Sequence, residues 1–330
     1  MPNTHCASCE STASRHQTSD GSSAQLKALF ALSRRGVENV IIPLNKMTEE
    51  KRDINFGVYC VHSLTGAAGK DFIELARNLT TIPIYGIQAP PGKMRDSHFC
   101  ESIEGIAQYY TAIIDAFQRT GPIIMCGWSV GCTIALEMSN CFHKIGRHVE
   151  ALIVIDGELE NTNATLSVVD ARYVLEVARN IPRWIMYDPI LGRTSFGVTL
   201  QRMMRRVVGR KKRESSSSRA ATIPNKDSLG IARVVDISRY PEHQLLFMER
   251  LYQAALRYIP RSYDGRIIVF EATAKPLYKL PQVARAWRSI AQSARVIKIN
   301  ATHISIMKGN SISAVANEIL RVAPARASSA

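Results

Sequence analysis

Nowhere in the 330 residues does an apolar stretch approach the roughly 20 that a membrane-crossing helix needs. The N-terminal segment lacks the basic start and apolar middle of a secretory signal, being polar and rich in Ser, Thr and His. Together these absences lead to the expectation of a cytoplasmic protein. Acids are scarce beside bases: 28 Asp and Glu against 42 Lys and Arg give a formal net charge of +14. That imbalance favours an acidic partner and is silent on fold. The seven cysteines form an odd set, and Cys60, Cys126, Cys132 and Cys141 lie among apolar or small residues. This reads as reduced core cysteine rather than a disulfide framework. Near His5, Cys6 and Cys9 there is no second Cys/His pair at zinc spacing, so no metal site is expected there. No internal repeat is present.

What is present is enough apolar residue, 46% of the chain, to bury a sizeable core. Residues 1–23 have little to bury and read as disordered, and 25–35 as a short helix. From residue 40 a strand and helix alternation sets in. Strands are expected at 40–44, 57–62, 82–88, 123–127 and 149–155, and helices at 70–78, 102–118 and 132–143. Ile103, Ile106, Tyr110, Ile113, Ile114 and Phe117 form one stripe of the second helix. The alternation stops after Asp156. It resumes with strands at 266–272 and 296–299 and helices at 283–291 and 311–322. Strands apolar on both faces, alternating with helices, imply an α/β fold: a mostly parallel central sheet with helices on both faces. Residues 160–260 read as a helical insertion of the kind that forms a lid. The expected organisation is an extension over 1–39, one α/β domain over 40–322, and a flexible tail over 323–330. Within the insertion, the basic loop 202–218 opens on residues 202–213, which hold Arg202, Arg205, Arg206, Arg210, Lys211, Lys212 and Arg213 without an acid, and four serines follow at 215–218. It reads as a solvated loop or a docking surface for an acidic partner. Nucleic acid is disfavoured, because no aromatics interleave with the bases.

The central motif is Gly127-Trp128-Ser129-Val130-Gly131, after a strand and before a helix. In that context the glycines permit a tight turn that exposes the serine Oγ at the end of the sheet, as in the α/β-hydrolase fold. The helix behind it offers the Val130 N–H to an oxyanion. A serine needs a base and an orienting acid, here in the chain order Ser, acid, His. His303 follows the last short strand, and no histidine comes after it. His243, in the insertion, is a poorer place for a fixed base. Asp156 ends an apolar strand at the edge where such sheets bind ligands, and is the expected acid. Glu271, after the next strand, is the alternative. The second oxyanion donor is expected at Leu64 N–H, in the loop His62–Gly66. His62 precedes the serine, in the wrong order for this fold, and reads as a loop-shaping residue.

Further segments extend the pattern: Ile42-Pro43-Leu44, Tyr85-Gly86-Ile87-Gln88-Ala89-Pro90, Glu137 behind the serine motif, Tyr258-Ile259-Pro260 and Tyr263-Asp264-Gly265-Arg266. With them the chain, from about residue 40 to about 320, resembles the thioesterases of nonribosomal peptide and polyketide synthesis. The resemblance implies an acid after the strand at 151–155, in agreement with Asp156. It implies transfer of an acyl or peptidyl chain from the phosphopantetheine of a carrier protein to the serine, with release by hydrolysis or cyclisation. It implies no cofactor beyond the partner's phosphopantetheine. Carrier proteins are usually acidic, which suggests docking through Arg205, Arg206, Arg210, Lys211 and Lys212. Ser63 and Leu64 stand where the family has a proline and glycines, and Cys132 where a second glycine often follows the motif. Two other functions fit the same residues: a carboxylesterase or lipase acting on free esters, and a non-catalytic carrier-docking protein.

Overall fold

A computed structural model of the chain describes residues 40–48, 55–96, 98–159, 171–187, 229–233, 235, 237–275, 282–291 and 293–324. The expected N-terminal disorder and helix, the basic loop 202–218 and most of the C-terminal tail lie outside them.

The strands are β1 (Ile41–Pro43), β2 (Gly57–Val61), β3 (Ile84–Ile87), β4 (Ile123–Trp128), β5 (Val149–Ile155), β6 (Ile267–Ala274) and β7 (Arg295–Thr302). The helices are α1 (Ala68–Asn78), α2 (Pro91–Met94), α3 (Ile103–Phe117), α4 (Gly131–Lys144), α5 (Ala171–Tyr187), α6 (Glu242–Arg257), α7 (Val283–Ile290) and α8 (Gly309–Val322). One sheet has the order β1-β3-β2-β4-β5-β6-β7. Among the described strands only β1 runs antiparallel, against β3; every other pairing is parallel.

The apolar strands split by parity, as a pleated backbone requires. Tyr59, Val61, Met125, Leu152 and Val154 enter one core, under α3, α4, α6 and α7. Val58, Cys60, Ile124, Cys126, Ala151, Ile153 and Ile155 enter the other, under α1 and α8. This burial on both faces is why the strands read as continuous apolar runs rather than as alternations. The stripe of α3 expected from the sequence is buried except for Phe117, which is partly covered, and Ser102 caps the helix by accepting the Gly105 N–H at 3.1 Å.

Between β5 and β6 the described residues form α5, two short 3-10 turns and α6, with no strand among them. The strand expected at 296–299 is longer, reaching Thr302, because it pairs with β6 along that whole length. No described helix is long and apolar enough to cross a membrane.

The strand order reverses between β2 and β4, since β3 lies outside β2 on one side and β4 lies on the other. Parallel strands on either side of such a point send their following loops apart, and a crevice opens at their carboxyl ends. The register keeps those ends level: Val61 pairs with Gly127, and Trp128 with Ile155.

Close approach of α4 to this edge depends on two glycines. A Cβ on Gly127 would lie 2.5 Å from Cys132 N and from Gly131 C and O; one on Gly131 would lie 2.5 Å from Val61 O and 2.6 Å from His62 O. Backbone atoms at that distance cannot yield without moving the helix off the sheet. Gly131→Ala is therefore expected to destabilise the fold by about 3 kcal/mol, toward the upper end of overpacking costs, read as a lower urea midpoint at unchanged slope.

Candidate active site

Two described residues other than glycine have left-handed backbone: Ser129, with φ 58°, and Asp156, with φ 45°. A side chain in that region costs on the order of 1–3 kcal/mol and persists only where the surroundings impose it. Here each residue follows directly on a central strand, and the neighbouring strand holds it. Ser129 N–H donates to Ile155 O at 3.2 Å, and Asp156 N–H donates to Phe270 O at 2.8 Å. Both sharp turns leave their side chains at the carboxyl edge of the sheet.

His303 comes to the same edge from the loop after β7. Its Nδ1 lies 2.9 Å from Asp156 Oδ2. A carboxylate accepts, so Nδ1 carries the proton and Nε2 keeps its lone pair. Asp156 Oδ1 accepts the Ala272 N–H at 2.9 Å and faces Lys275 Nζ at 3.5 Å. Burial alone would raise the Asp156 carboxyl; the Lys275 charge, the His303 hydrogen bond and the Ala272 N–H outweigh it and hold the group below the usual carboxylate range. Asp156 is thus an ionised carboxylate against the His303 ring.

Trp128, inside the serine motif, braces His303 from the other side. Its Nε1–H donates to His303 O at 3.1 Å, and the indole stacks on the imidazole at a centroid separation of 5.3 Å. The sequence reading passed over this residue, although an aromatic beside a motif serine was its one visible sign.

The structure brings Ser129, Asp156 and His303 to one edge, and only Asp156 of the two candidate acids meets the imidazole. His243 is exposed near the start of α6. Glu271, the alternative acid, is buried and pairs with Lys275 Nζ at 3.1 Å. His62 is buried beneath the loop that follows β2. Its Nδ1 donates to Ser63 O at 2.6 Å, so Nε2 accepts from Tyr110 OH at 2.8 Å. Burial lowers its pKa to about 4 against the opposing Ser63 hydrogen bond, so the ring stays neutral.

That loop is fixed at several points. Ser63 N–H donates to Asp71 Oδ2 at 2.8 Å, Ala89 N–H to Gly66 O at 3.0 Å, and Gln244 Nε2 to Thr65 O at 3.1 Å. Between these anchors stands Leu64. Among the described residues neither Leu64 N–H nor Val130 N–H has a hydrogen-bond acceptor in the protein. Cys132, in the place of a second glycine, donates its Sγ–H to Gly127 O at 3.0 Å, and burial holds it as a thiol. No cluster of three or more potential metal ligands occurs among the described residues.

Residues 56–170 match the family model of the thioesterase domain. Over that segment the chain resembles a thioesterase domain. The matched segment runs from the start of β2 past β5, through the serine motif and Asp156. Among relatives, polyketide synthase PksR of Bacillus subtilis (strain 168) is 35% identical over 91 residues, 28% of this chain. Malpibaldin synthetase of Mortierella alpina is 24% identical over 265 residues, 79% of this chain. The chain spans 4% of the length of each. The chain has the α/β-hydrolase fold seen in solved thioesterase domains. It superposes on the NocB thioesterase domain from the nocardicin cluster with a TM-score of 0.51 at 19% identity, covering 86% of this chain and 98% of the other. It superposes on AB3403, a four-domain nonribosomal peptide synthetase, with a TM-score of 0.55 at 21% identity, covering 87% of this chain and 20% of the synthetase. The chain thus resembles the thioesterase domains of such synthases.

Proposed function

We propose that this chain is a thioesterase that releases an acyl or peptidyl chain from the phosphopantetheine thioester of a carrier protein through an acyl-Ser129 intermediate. The observation that carries the proposal is the 2.9 Å contact of His303 Nδ1 with Asp156, at the edge where Ser129 stands in left-handed backbone. In the proposed reaction Ser129 Oγ attacks the thioester carbonyl carbon while His303 Nε2 takes its proton. The negative charge that develops on the carbonyl oxygen is received by the Val130 and Leu64 N–H groups, each worth roughly 3 kcal/mol in comparable sites. Collapse expels the pantetheine sulfur, which takes the proton from His303. A water or an internal nucleophile of the chain, deprotonated by His303, then attacks the acyl-serine and frees the acid or the ring.

The domain organisation is part of the same proposal: residues 40–322 form one catalytic unit, and the segment of about 160–260 lines the acyl pocket as a lid. The carrier is the natural acidic partner for a chain of net charge +14, with Arg205, Arg206, Arg210, Lys211 and Lys212 as its docking residues. The phosphopantetheine arrives with the carrier, and the chemistry draws on no other cofactor.

The test is incubation with a panel of acyl-pantetheine thioesters and matched oxygen esters, followed by intact mass spectrometry. The expected result is a covalent acyl increment and faster turnover of thioesters. Cleavage of oxygen esters alone would replace the proposal with an esterase, and silence toward both with inert Ser129 would replace it with a docking protein.

A further inference from the structure

The acyl-transfer scheme leaves three buried polar groups beside Asp156 unused. Lys275 closes the carboxyl end of β6 with its side chain only 13% exposed. Its Nζ lies between two carboxylates, 3.1 Å from Glu271 Oε1 and 3.5 Å from Asp156 Oδ1. Its backbone is clamped from α5: Lys275 N–H donates to Asn180 Oδ1 at 2.7 Å, and Asn180 Nδ2 donates to Lys275 O at 2.6 Å. Asn180 is itself buried. A side-chain amide that meets both backbone groups of one residue acts as a strand neighbour would, and fixes the point from which the lysine stem departs.

We propose that Lys275 is a positioning residue for the acid–base pair: its ammonium orients Asp156 from Oδ1 while His303 takes Oδ2, and Glu271 sets how much of that positive charge Asp156 feels. The proposal rests on the Ser129–His303–Asp156 reading above. Asp156, Glu271 and Lys275 together carry a charge of −1, the charge of a lone aspartate but spread over three groups. The imidazolium that forms during catalysis faces that net charge. Without Lys275 it would face −2, and His303 would hold its proton more tightly. Without the Glu271 charge it would face zero, and hold it less tightly. The two changes therefore have opposite signs. The other charged groups near the network leave it intact. Lys298 stands opposite Glu271 on β7 and is exposed, and Glu176 and Arg179 on α5 pair with each other at 3.4 Å. The depressed carboxyl of Asp156, with Lys275 as its first opposing cause to burial, agrees with this arrangement.

The experiment follows the His303 Cε1–H resonance by NMR across pH, assigned by its loss in H303Q, in the full chain and in K275M, K275R and E271Q. The midpoint in K275M is expected to rise by about one pH unit, roughly a tenfold tighter hold on the proton, and that in E271Q to fall by a similar amount. K275R, which keeps the charge, is expected to stay near the wild type. The acid limb of kcat/KM is expected to move with each midpoint. Midpoints that stay within a few tenths of a unit, or that move the same way in both variants, would overturn the role of Lys275. Should K275M fail to fold, the E271Q arm decides alone. Labelling of the same samples by a fluorophosphonate reports Ser129 separately: a wild type that titrates as expected yet stays unlabelled removes the nucleophile, not the lysine.

Discussion

Ser129→Ala protein, incubated with an acyl-pantetheine thioester, is expected to gain no covalent mass and to lose on the order of 10⁶-fold in kcat, the scale seen when a serine nucleophile is removed. The expectation is this large because the proposed role is covalent: alanine has no oxygen to acylate, and His303 is left with no proton to take. A small residual rate would remain from Leu64 and Val130, which polarise a bound carbonyl whether or not the serine is there. The fold should survive. Ser129 contributes its N–H to Ile155 O, and alanine keeps that bond and fits the same backbone at similar strain. Unchanged circular dichroism with lost acylation would therefore localise the effect to the hydroxyl. Retained turnover in this variant would end the acyl-serine reading.

Asp156→Asn is expected to lower kcat by about 10⁴-fold, the loss associated with the wrong imidazole tautomer. The carboxylate takes two donors at once, the Ala272 N–H at Oδ1 and the His303 Nδ1–H at Oδ2. The amide that replaces it must keep its oxygen toward the fixed Ala272 N–H, which turns its NH₂ toward His303. Nδ1 then has to accept, the proton moves to Nε2, and the nitrogen that would take the serine proton is already protonated. Lys275 also loses one of its two carboxylates and is left with Glu271. Steady-state kinetics across pH measures the loss. A fall of less than tenfold would transfer the orienting role to Glu271, the other acid at this edge.

Much of the architecture was legible in the residues because its causes are local. Strands buried on both faces must be apolar throughout, which is how β2, β4 and β5 stand out. The stripe of α3 repeats at helical spacing because only one of its faces meets the sheet. Ser129 was legible because the turn it occupies requires a glycine two residues to either side. Gly127 and Gly131 stand where any Cβ would strike backbone. Chain order pointed to His303, and the carboxyl end of an apolar strand pointed to Asp156. The antiparallel course of β1 was not legible, since three residues carry no signal of direction.

The sequence by itself determined the parallel α/β architecture and the tight turn at Ser129, since spacing, burial pattern and turn sterics act over a few residues each. Only the tertiary structure decided which groups surround the acid. Lys275 reaches Asp156 across 119 positions, Asn180 reaches Lys275 across 95, and Trp128 reaches His303 across 175. Contacts of that range arise from strands laid side by side, and a lysine that ends beside a buried carboxylate is written no differently from one that ends in water.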